Sequence, residues 1–239
     1  MDWFSFLVAG ILIYISVAVF LIGIAFRLYG WLRVPRSGIK LGIFPQKGKG
    51  PARYLKLAQD SFLFPQVFDV DRPMWVFVIL LHLFGVFLFI GHLRLFGEFT
   101  PLANALGSRG MDQFALLTGG MVGIVLLVTV LYLLIRRFKS PFKDISTPED
   151  YFLLILVLLV VLMGNHLRFF GDVPVTAYRE YIRSLLSFSP DFPIVLANSS
   201  TKWSLVTHVL FSGLLLIYFP FSKLVHFVGA FAVNLIRSE

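Results

Sequence analysis

Long hydrophobic runs alternate along this chain with shorter stretches of polar and charged residues. A helix needs about 20 residues to cross the hydrocarbon core of a membrane. Five runs reach that length, at 3–26, 73–96, 114–135, 151–170 and 203–221. The pattern therefore predicts an all-α integral membrane protein with five transmembrane helices, forming a single membrane domain over residues 1–239.

The first run has to be distinguished from a secretory signal peptide. It is longer than such a signal, it has no basic leader, and no convincing small-residue cleavage site precedes Arg27. We therefore interpret it as a retained membrane anchor.

The distribution of basic residues predicts the orientation. Of the 21 Lys and Arg residues, fifteen lie in 27–72, in 136–143 and near the C-terminus, whereas six lie on the other side. Basic residues are enriched in cytoplasmic loops. We therefore expect the N-terminus outside and the C-terminus in the cytoplasm, with a cytoplasmic loop at 27–72 and an outer loop at 171–202. The expected location is the cytoplasmic membrane of the cell.

Composition limits the partners and cofactors that this chain can bind. Hydrophobic residues make up 58% of the chain, and the mean hydropathy is +0.85. The net charge of +8 agrees with the orientation and fits contact with anionic lipid or a protein, since no nucleic-acid motif is present. Cysteine is absent. This chain alone therefore cannot hold an iron–sulfur cluster or a c-type haem, and a redox role would need a non-covalent cofactor.

Both long loops contain amphipathic segments. One extends over about 52–62 in the cytoplasmic loop. In the outer loop, “TAYREYIRSLLSF” predicts a short interfacial helix. On the third predicted helix, Gly119 and Gly123 form a small-xxx-small pair, which predicts close packing against another helix.

The five histidines are the candidate functional residues, since ionisable groups are costly at membrane depth. They lie on or near the second, fourth and fifth predicted helices: His82 and His92, His166, and His208 and His226. Three crossings separate the second helix from the fifth, so these two helices run antiparallel. We therefore expect His82 to be level with His226 near the cytoplasm, and His92 with His208 near the outside. His166 has no level partner.

Two level pairs of imidazoles could each bind one iron from both sides, so the economical interpretation is two b haems with bis-histidine ligation. At 1.5 Å per residue, the ten-residue spacing gives about 15 Å and the eighteen-residue spacing about 27 Å, which predicts irons roughly 20 Å apart. On a continuous helix His208 and His226 would share one face, whereas His82 and His92 would differ by about 80°. Pro220 is a candidate kink.

Roles that involve no haem are also compatible with these histidines. A single membrane histidine is most often packed or hydrogen-bonded, and a haem-free membrane anchor would use the same helices. A proton-coupled transporter subunit would also place histidines at membrane depth, although no inverted repeat or pair of broken helices is visible. Bound haem would separate the cytochrome interpretation from both alternatives.

Three segments resemble a known family. “LHLFGVFLFIGH” at 81–92, “LLTGGMVGIVLLVTVLYLLIRRFKSP” at 116–141 and “FPFSKLVH” at 219–226 are similar to the gamma subunit of respiratory nitrate reductase. The same fold occurs in the cytochrome b subunits that accompany heterodisulfide-reductase-like proteins, including the DsrM type. “GNHLRFF” at 164–170 and “FPFSKLVH” favour that branch. The resemblance covers the second to fifth helices and retains both histidine spacings.

The resemblance implies roles for individual residues. It pairs His82 with His226 at an inner haem, and His92 with His208 at an outer haem. It also implies a quinone site near the outer haem, with these candidates: Gly91, Arg94, His166 and Arg168. In nitrate reductase gamma subunits a lysine before the third helix contributes to that site, whereas this chain has Met111 there.

For His166 a purely structural role competes with the quinone role. “GHLRLFG” at 91–97 and “NHLRFFG” at 165–171 each end an apolar run. An interfacial histidine and arginine followed by a capping glycine would be enough to end a helix in this way.

The function that the resemblance implies is that of a cytochrome b subunit in a respiratory, quinol-dependent oxidoreductase complex, and not of its terminal catalytic subunit. A menaquinol-type lipid would be oxidised near the outer face. Electrons would then pass through the two haems to a cytoplasmic iron–sulfur subunit, of the heterodisulfide-reductase-like kind, docked on the basic stretches 27–56 and 136–143. Further membrane subunits are compatible with this arrangement, and the reverse direction of electron flow would use the same residues.

Overall fold

The computed structural model describes residues 1–33 and 51–229; residues 34–50 of the cytoplasmic loop predicted at 27–72, and the C-terminal end at 230–239, lie outside the described residues. Within the described part the regular structure is entirely helical. Five helices are long and apolar enough to cross a membrane, here called spans one to five: Trp3–Arg33, Arg72–Leu95, Thr100–Arg136, Pro148–Phe170 and Lys202–Phe221. The predicted all-α membrane fold with five spanning helices is confirmed.

Shorter helices lie between the spans. Pro51–Phe62 and Pro65–Val70 precede span two, and Val175–Leu186 and Ile194–Ala197 separate span four from span five. Both amphipathic segments are therefore helical. We call Val175–Leu186 the outer helix.

Local sequence defines where the spans begin. Asp71 caps span two, because its carboxylate accepts a hydrogen bond from the Met74 N–H at 2.9 Å, and a proline follows in the first turn. At the start of span four, the Asp150 carboxylate accepts hydrogen bonds from the N–H of Thr147 at 3.0 Å and from its hydroxyl at 3.1 Å. At the starts of spans two and four, carboxylates just outside the apolar run thus accept hydrogen bonds from free backbone N–H groups.

Span three is longer than its apolar run. The helix begins at Thr100 rather than at about 114, and it bends at Gly107, which has a φ of +69°. This left-handed conformation is accessible to glycine at little cost. The polar stretch 108–113, which includes Arg109 and Asp112, interrupts the hydropathy pattern just after the bend, so the apolar run begins only at 114.

The spans pack in the order two, three, four, five and one. Spans three and four come close because the glycines of span three lie under the larger side chains of span four, as the pair Gly119 and Gly123 predicts. The Asn165 amide donates to the Gly123 carbonyl at 2.9 Å, and a Cβ at position 123 would collide with Asn165. Spans two and five do not form an extended helix–helix contact within the described residues.

Span five is interrupted before its last histidine, and the expectation of one continuous helix is corrected here. The α-helix ends at Tyr218, a 3₁₀ turn covers Phe219–Phe221, and Ser222 is extended with a ψ of 175°. A second 3₁₀ turn, Lys223–Val225, leads to His226. Pro220 therefore ends the helix instead of bending it, so the argument that His208 and His226 share one helical face does not apply.

The main cluster of buried hydrophobic residues lies where the outer helix packs on spans one and five. It joins residues of these three elements and of the segment between the outer helix and span five: Val8, Ala9, Ala177, Tyr181, Phe192, Leu196, Leu205 and Val206. The Tyr181 hydroxyl donates to the Ala9 carbonyl at 2.7 Å, inside a π-helical stretch of span one, Leu7–Leu12. After the predicted orientation, we call this end of the bundle the outer end and the end carrying His82 and His226 the inner end.

Candidate functional site

The inner histidines face each other. The ring centroids of His82 and His226 are 6.0 Å apart, and the ring planes make an angle of 69°. Because an imidazole nitrogen lies about 2 Å from a metal it binds, two rings that share one metal ion have centroids about 6 Å apart. The observed spacing fits that requirement. Phe64 covers one side of His82, with ring centroids 4.8 Å apart.

The outer histidines are also neighbours. His92, at the end of span two, lies close enough to His208 of span five for the two side chains to interact electrostatically. His208 packs against span four at Gly164, where an added Cβ would be only 3.2 Å from the imidazole Cε1. The missing side chain at Gly164 therefore makes room for the His208 ring.

In all four paired histidines, Nδ1 lies within hydrogen-bond distance of a backbone carbonyl. The Nδ1 atoms of His82 and His92 lie 2.8 Å from the carbonyls of Val78 and Leu88, one turn earlier on the helix. Nδ1 of His208 lies 3.0 Å from the Val160 carbonyl on span four, and Nδ1 of His226 lies 2.7 Å from the Lys223 carbonyl. A carbonyl only accepts, so each Nδ1 carries the proton.

This hydrogen bond determines what the other ring nitrogen can do. With the proton on Nδ1, the neutral imidazole has a free lone pair on Nε2, which is the form that binds metals. A backbone carbonyl that fixes the tautomer and the ring orientation is the usual support for a metal-bound histidine. Each pair therefore offers two Nε2 lone pairs that can bind a metal.

His166 differs from these four. Its Nδ1 lies 3.0 Å from the hydroxyl of Ser204 on span five, and its ring lies beside Phe170 with centroids 4.9 Å apart. A hydroxyl both donates and accepts, so this contact does not fix the tautomer. The two HLR segments, 91–97 and 165–171, both end helices. Of their two histidines, His92 has its Nδ1 bound to a carbonyl and His166 does not.

Arg94 is engaged in an ion-pair network at the outer end. Its guanidinium binds Glu98 at 2.7 Å and Asp112 of span three at 2.6 Å. Arg179 of the outer helix pairs with the second oxygen of Glu98 and donates to the Arg94 carbonyl at 2.9 Å. The hydrogen bonds from Arg94 and then Arg179 hold the pKa of Glu98 below its usual range. Glu98 therefore joins span two to the outer helix.

Arg168 and Gly91 remain accessible. The Arg168 guanidinium lies against span three, 3.1 Å from where a Cβ of Gly119 would be, and among the described residues it forms no ion pair. A Cβ added at Gly91 would meet no atom of another described part of the chain within 4 Å, so the space beside this glycine is open. Of the two arginines proposed for a quinone, Arg168 is the one without a carboxylate partner in the described part of the chain.

Comparison with known proteins places the chain in a family. The nitrate reductase gamma subunit family matches residues 68–238, which covers spans two to five and all five histidines. The chain belongs to this family. Similar proteins include the Hdr-like menaquinol oxidoreductase cytochrome b-like subunit of Archaeoglobus fulgidus, which is 29% identical over 91% of this chain and 75% of the relative. The subunit of the same description from Archaeoglobus profundus is 27% identical, over 90% of this chain and 74% of the relative.

The resemblance to the nitrate reductase gamma subunit family, expected from the sequence, is thus confirmed, and the names of both relatives agree with the heterodisulfide-reductase branch. Span one lies outside the matched residues. Met111, where the family's lysine was expected, is buried with 3% of its surface exposed. It therefore packs inside the bundle and is not available at the surface.

Several residues that shape the site were not singled out in the sequence. Glu98 follows Arg94 by four residues, a spacing that predicts a helical ion pair. Gly164 lies two residues before His166 and carries no signal of its contact with His208. Arg179 lies in the predicted outer helix, but its contact with Glu98 spans 81 residues and leaves no local pattern.

Proposed function

We propose that this protein is a membrane cytochrome b subunit that moves electrons between the quinone pool and a cytoplasmic iron–sulfur subunit. His82 and His226 hold an inner b haem, and His92 and His208 hold an outer b haem. The single observation that carries the proposal is the carbonyl hydrogen bond at Nδ1 of all four histidines, which leaves four Nε2 lone pairs in two groups.

The space between the histidines supports the same interpretation. Spans two and five are not in extended contact, and no residue of Arg72–His92 is buried, although this helix carries two of the four histidines. A flat, apolar group between these spans would cover that surface. Two b haems bound here would supply one-electron centres, which is the chemistry needed to join a two-electron quinol to a one-electron iron–sulfur acceptor.

The quinone is proposed to bind at the outer end, where a menaquinol would be oxidised and its protons released outward. His166 is a suitable proton acceptor because Ser204 leaves its tautomer free to change. Arg168 has no carboxylate partner within the described residues and is available to a quinone oxygen, and the open space at Gly91 would admit a ring. Arg94 would contribute to the quinone site indirectly, through its ion pairs with Glu98 and Asp112.

The names of the two relatives support the assembly that we propose. Both are subunits of Hdr-like menaquinol oxidoreductases. We infer that this chain works in a respiratory complex in the cytoplasmic membrane, with an iron–sulfur subunit of the heterodisulfide-reductase-like kind at its cytoplasmic face. The basic stretch 136–143 and the described part of 27–56 would receive that subunit. We infer that electrons flow from quinol toward this subunit; an outer position of the quinone candidates would let the quinol protons be released outward.

The test compares the two histidines of the HLR segments. Haem is quantified per chain in the purified complex, together with the dithionite-reduced minus oxidised optical spectrum, for wild type, His92→Ala and His166→Ala. We expect two b haems in wild type, one in His92→Ala and two in His166→Ala, because only His92 belongs to a pair. The His166→Ala variant should instead lose quinol oxidation.

His166→Ala is the matched control, since both substitutions remove an imidazole from the end of a span. A wild-type complex that binds no haem when haem is supplied in excess would contradict the proposal and favour a haem-free anchor or a transporter subunit. Loss of one haem in His166→Ala, with none lost in His92→Ala, would contradict the assignment of the ligands.

A further inference from the structure

The interrupted end of span five is held by two other spans. Pro220 is fully buried, and its carbonyl accepts a hydrogen bond from Nε of Arg27 at 3.0 Å. Arg27 lies on span one, 193 residues away in the sequence. A residue that breaks a helix leaves carbonyls without their usual helical partners. The arginine supplies one of the missing donors.

Span one also packs closely against the interrupted turn of span five. A Cβ at Gly23 would be 2.6 Å from both Cβ and Cγ of Pro220, which is closer than two carbon atoms can approach. Phe20 packs on Phe219 edge to face, with ring centroids 5.3 Å apart. Phe20, Gly23 and Arg27 follow one another at helical spacing, so one face of span one fits the turn.

Span four holds the other side of the same turn. Asp150 is buried, with 4% of its surface exposed, and its carboxylate binds Nζ of Lys223 at 2.6 Å. The backbone carbonyl of Lys223 accepts the hydrogen bond from His226 Nδ1. Asp150 therefore acts on the residue that orients the His226 ring.

We propose that Arg27 and Asp150 are positioning residues for the inner haem ligand, since together they fix the Phe219–Lys223 turn from opposite sides and so aim His226 at His82. This inference rests on the proposed function. His82 needs no such support, because it lies within a regular helix and bonds to its own preceding turn. His226 lies beyond a helix break, and its place depends on contacts from spans one and four.

The test uses the purified complex with its haems bound. The low-spin ferric EPR signals of the two haems are recorded for wild type, Arg27→Leu, Arg27→Lys and Asp150→Asn, after His226→Ala has identified the inner signal by its loss. We expect Arg27→Leu and Asp150→Asn to shift or broaden the inner signal while the outer signal is unchanged. Arg27→Lys should restore most of the wild-type inner signal, because it retains a donor for the Pro220 carbonyl.

A second pair of variants applies if removal of a charge prevents assembly. Gly23→Ala places a methyl group against Pro220, whereas Gly30→Ala, on the same span, adds one where no atom lies within 4 Å. We expect the inner signal to change in Gly23→Ala and not in Gly30→Ala. An inner signal that is unchanged in Gly23→Ala and in every assembled charge variant, or inner and outer signals altered together, would overturn the inference.

Failure of the proposed function looks different from these outcomes. It would appear as a wild-type complex without two haem signals, before any variant is compared. With two signals in wild type, an inner signal that does not depend on Arg27, Gly23 or Asp150 rejects the positioning role alone.

Discussion

The outer and inner histidine pairs have the same hydrogen-bond chemistry but are supported in different ways. At the outer end, His208 bonds to a carbonyl of the neighbouring span four and fits over Gly164. At the inner end, His226 is exposed and bonds to a carbonyl three residues before it. In the outer pair His208 is therefore built into the packing of the spans, whereas in the inner pair His226 depends on a turn that other spans hold in place.

This difference matters for what each end does. The outer pair lies beside the ion-pair network of Arg94 and Glu98 and under the outer helix, in the part of the protein proposed to bind the quinone. The inner pair lies at an exposed end, where electrons would be passed to a partner subunit. A packed His208 beside the substrate and an exposed His226 beside the partner fit these two tasks.

The strongest effect is expected from a substitution that breaks the outer pair alone. In Gly164→Leu the new side chain would occupy the place of the His208 ring, because even a Cβ at this position is 3.2 Å from the ring. We expect haem content to fall from two to about one per chain, with the inner signal retained. Gly30→Leu is the matched control and should keep both haems; equal loss in both variants would show that bulk, and not contact with His208, is responsible.

A weaker effect concerns pH at the outer end. The pKa of Glu98 is lowered in the folded protein by its hydrogen bonds from Arg94 and Arg179, so its contribution to stability is present above its ordinary pKa of 4.5 and is lost as the pH falls through the lower folded value. We expect amide hydrogen exchange in the outer helix, corrected for the intrinsic rate, to accelerate on acidification. The exchange rate should rise by at most about tenfold if the folded pKa lies 1 below the ordinary value, and in proportion for a larger lowering.

The control for this prediction is Glu98→Gln, which cannot lose a charge. Its outer helix should exchange faster than wild type at neutral pH and should show a weaker dependence on acid. An identical acid response in both proteins would mean that another carboxylate joins the outer helix to span two.

The weakest effect concerns the inner pair. Phe64→Ala removes the ring that covers His82 and admits water there, which favours the ferric state. We expect the midpoint potential of the inner haem to fall by less than about 59 mV, which corresponds to a tenfold change for one electron. In Phe138→Ala, which removes a ring packed on Tyr151, both potentials should stay unchanged in a redox titration.

The proximity of His82 and His226 can be predicted from the sequence because it needs only the number of crossings and the order of residues along them. Their shared ligation of a haem stays a prediction. The number and order of the apolar runs supply both, and the asymmetry of basic residues adds the orientation. The same reasoning predicted helices in the two amphipathic segments and close packing at Gly119 and Gly123, since these signals are local.

What the sequence did not predict depends on contacts between distant residues. The eighteen-residue spacing predicts one helical face for His208 and His226, whereas Pro220 and Ser222 break the helix and Arg27 stabilises the break. Arg94 and Arg168 looked equivalent as quinone candidates, yet within the described residues only Arg94 is bound by carboxylates, one of them 18 residues away on another span. A helix end that is stabilised by a different helix leaves no periodic pattern.

Two bis-histidine haems can be tested in a single experiment, EPR of the oxidised wild-type complex with haem quantified in the same sample. We expect two low-spin ferric haem signals of equal amount, one lost in His208→Ala and the other lost in His226→Ala. A high-spin signal in the wild type, a single low-spin signal at one haem per chain, or the same signal lost in both variants would contradict two bis-histidine centres.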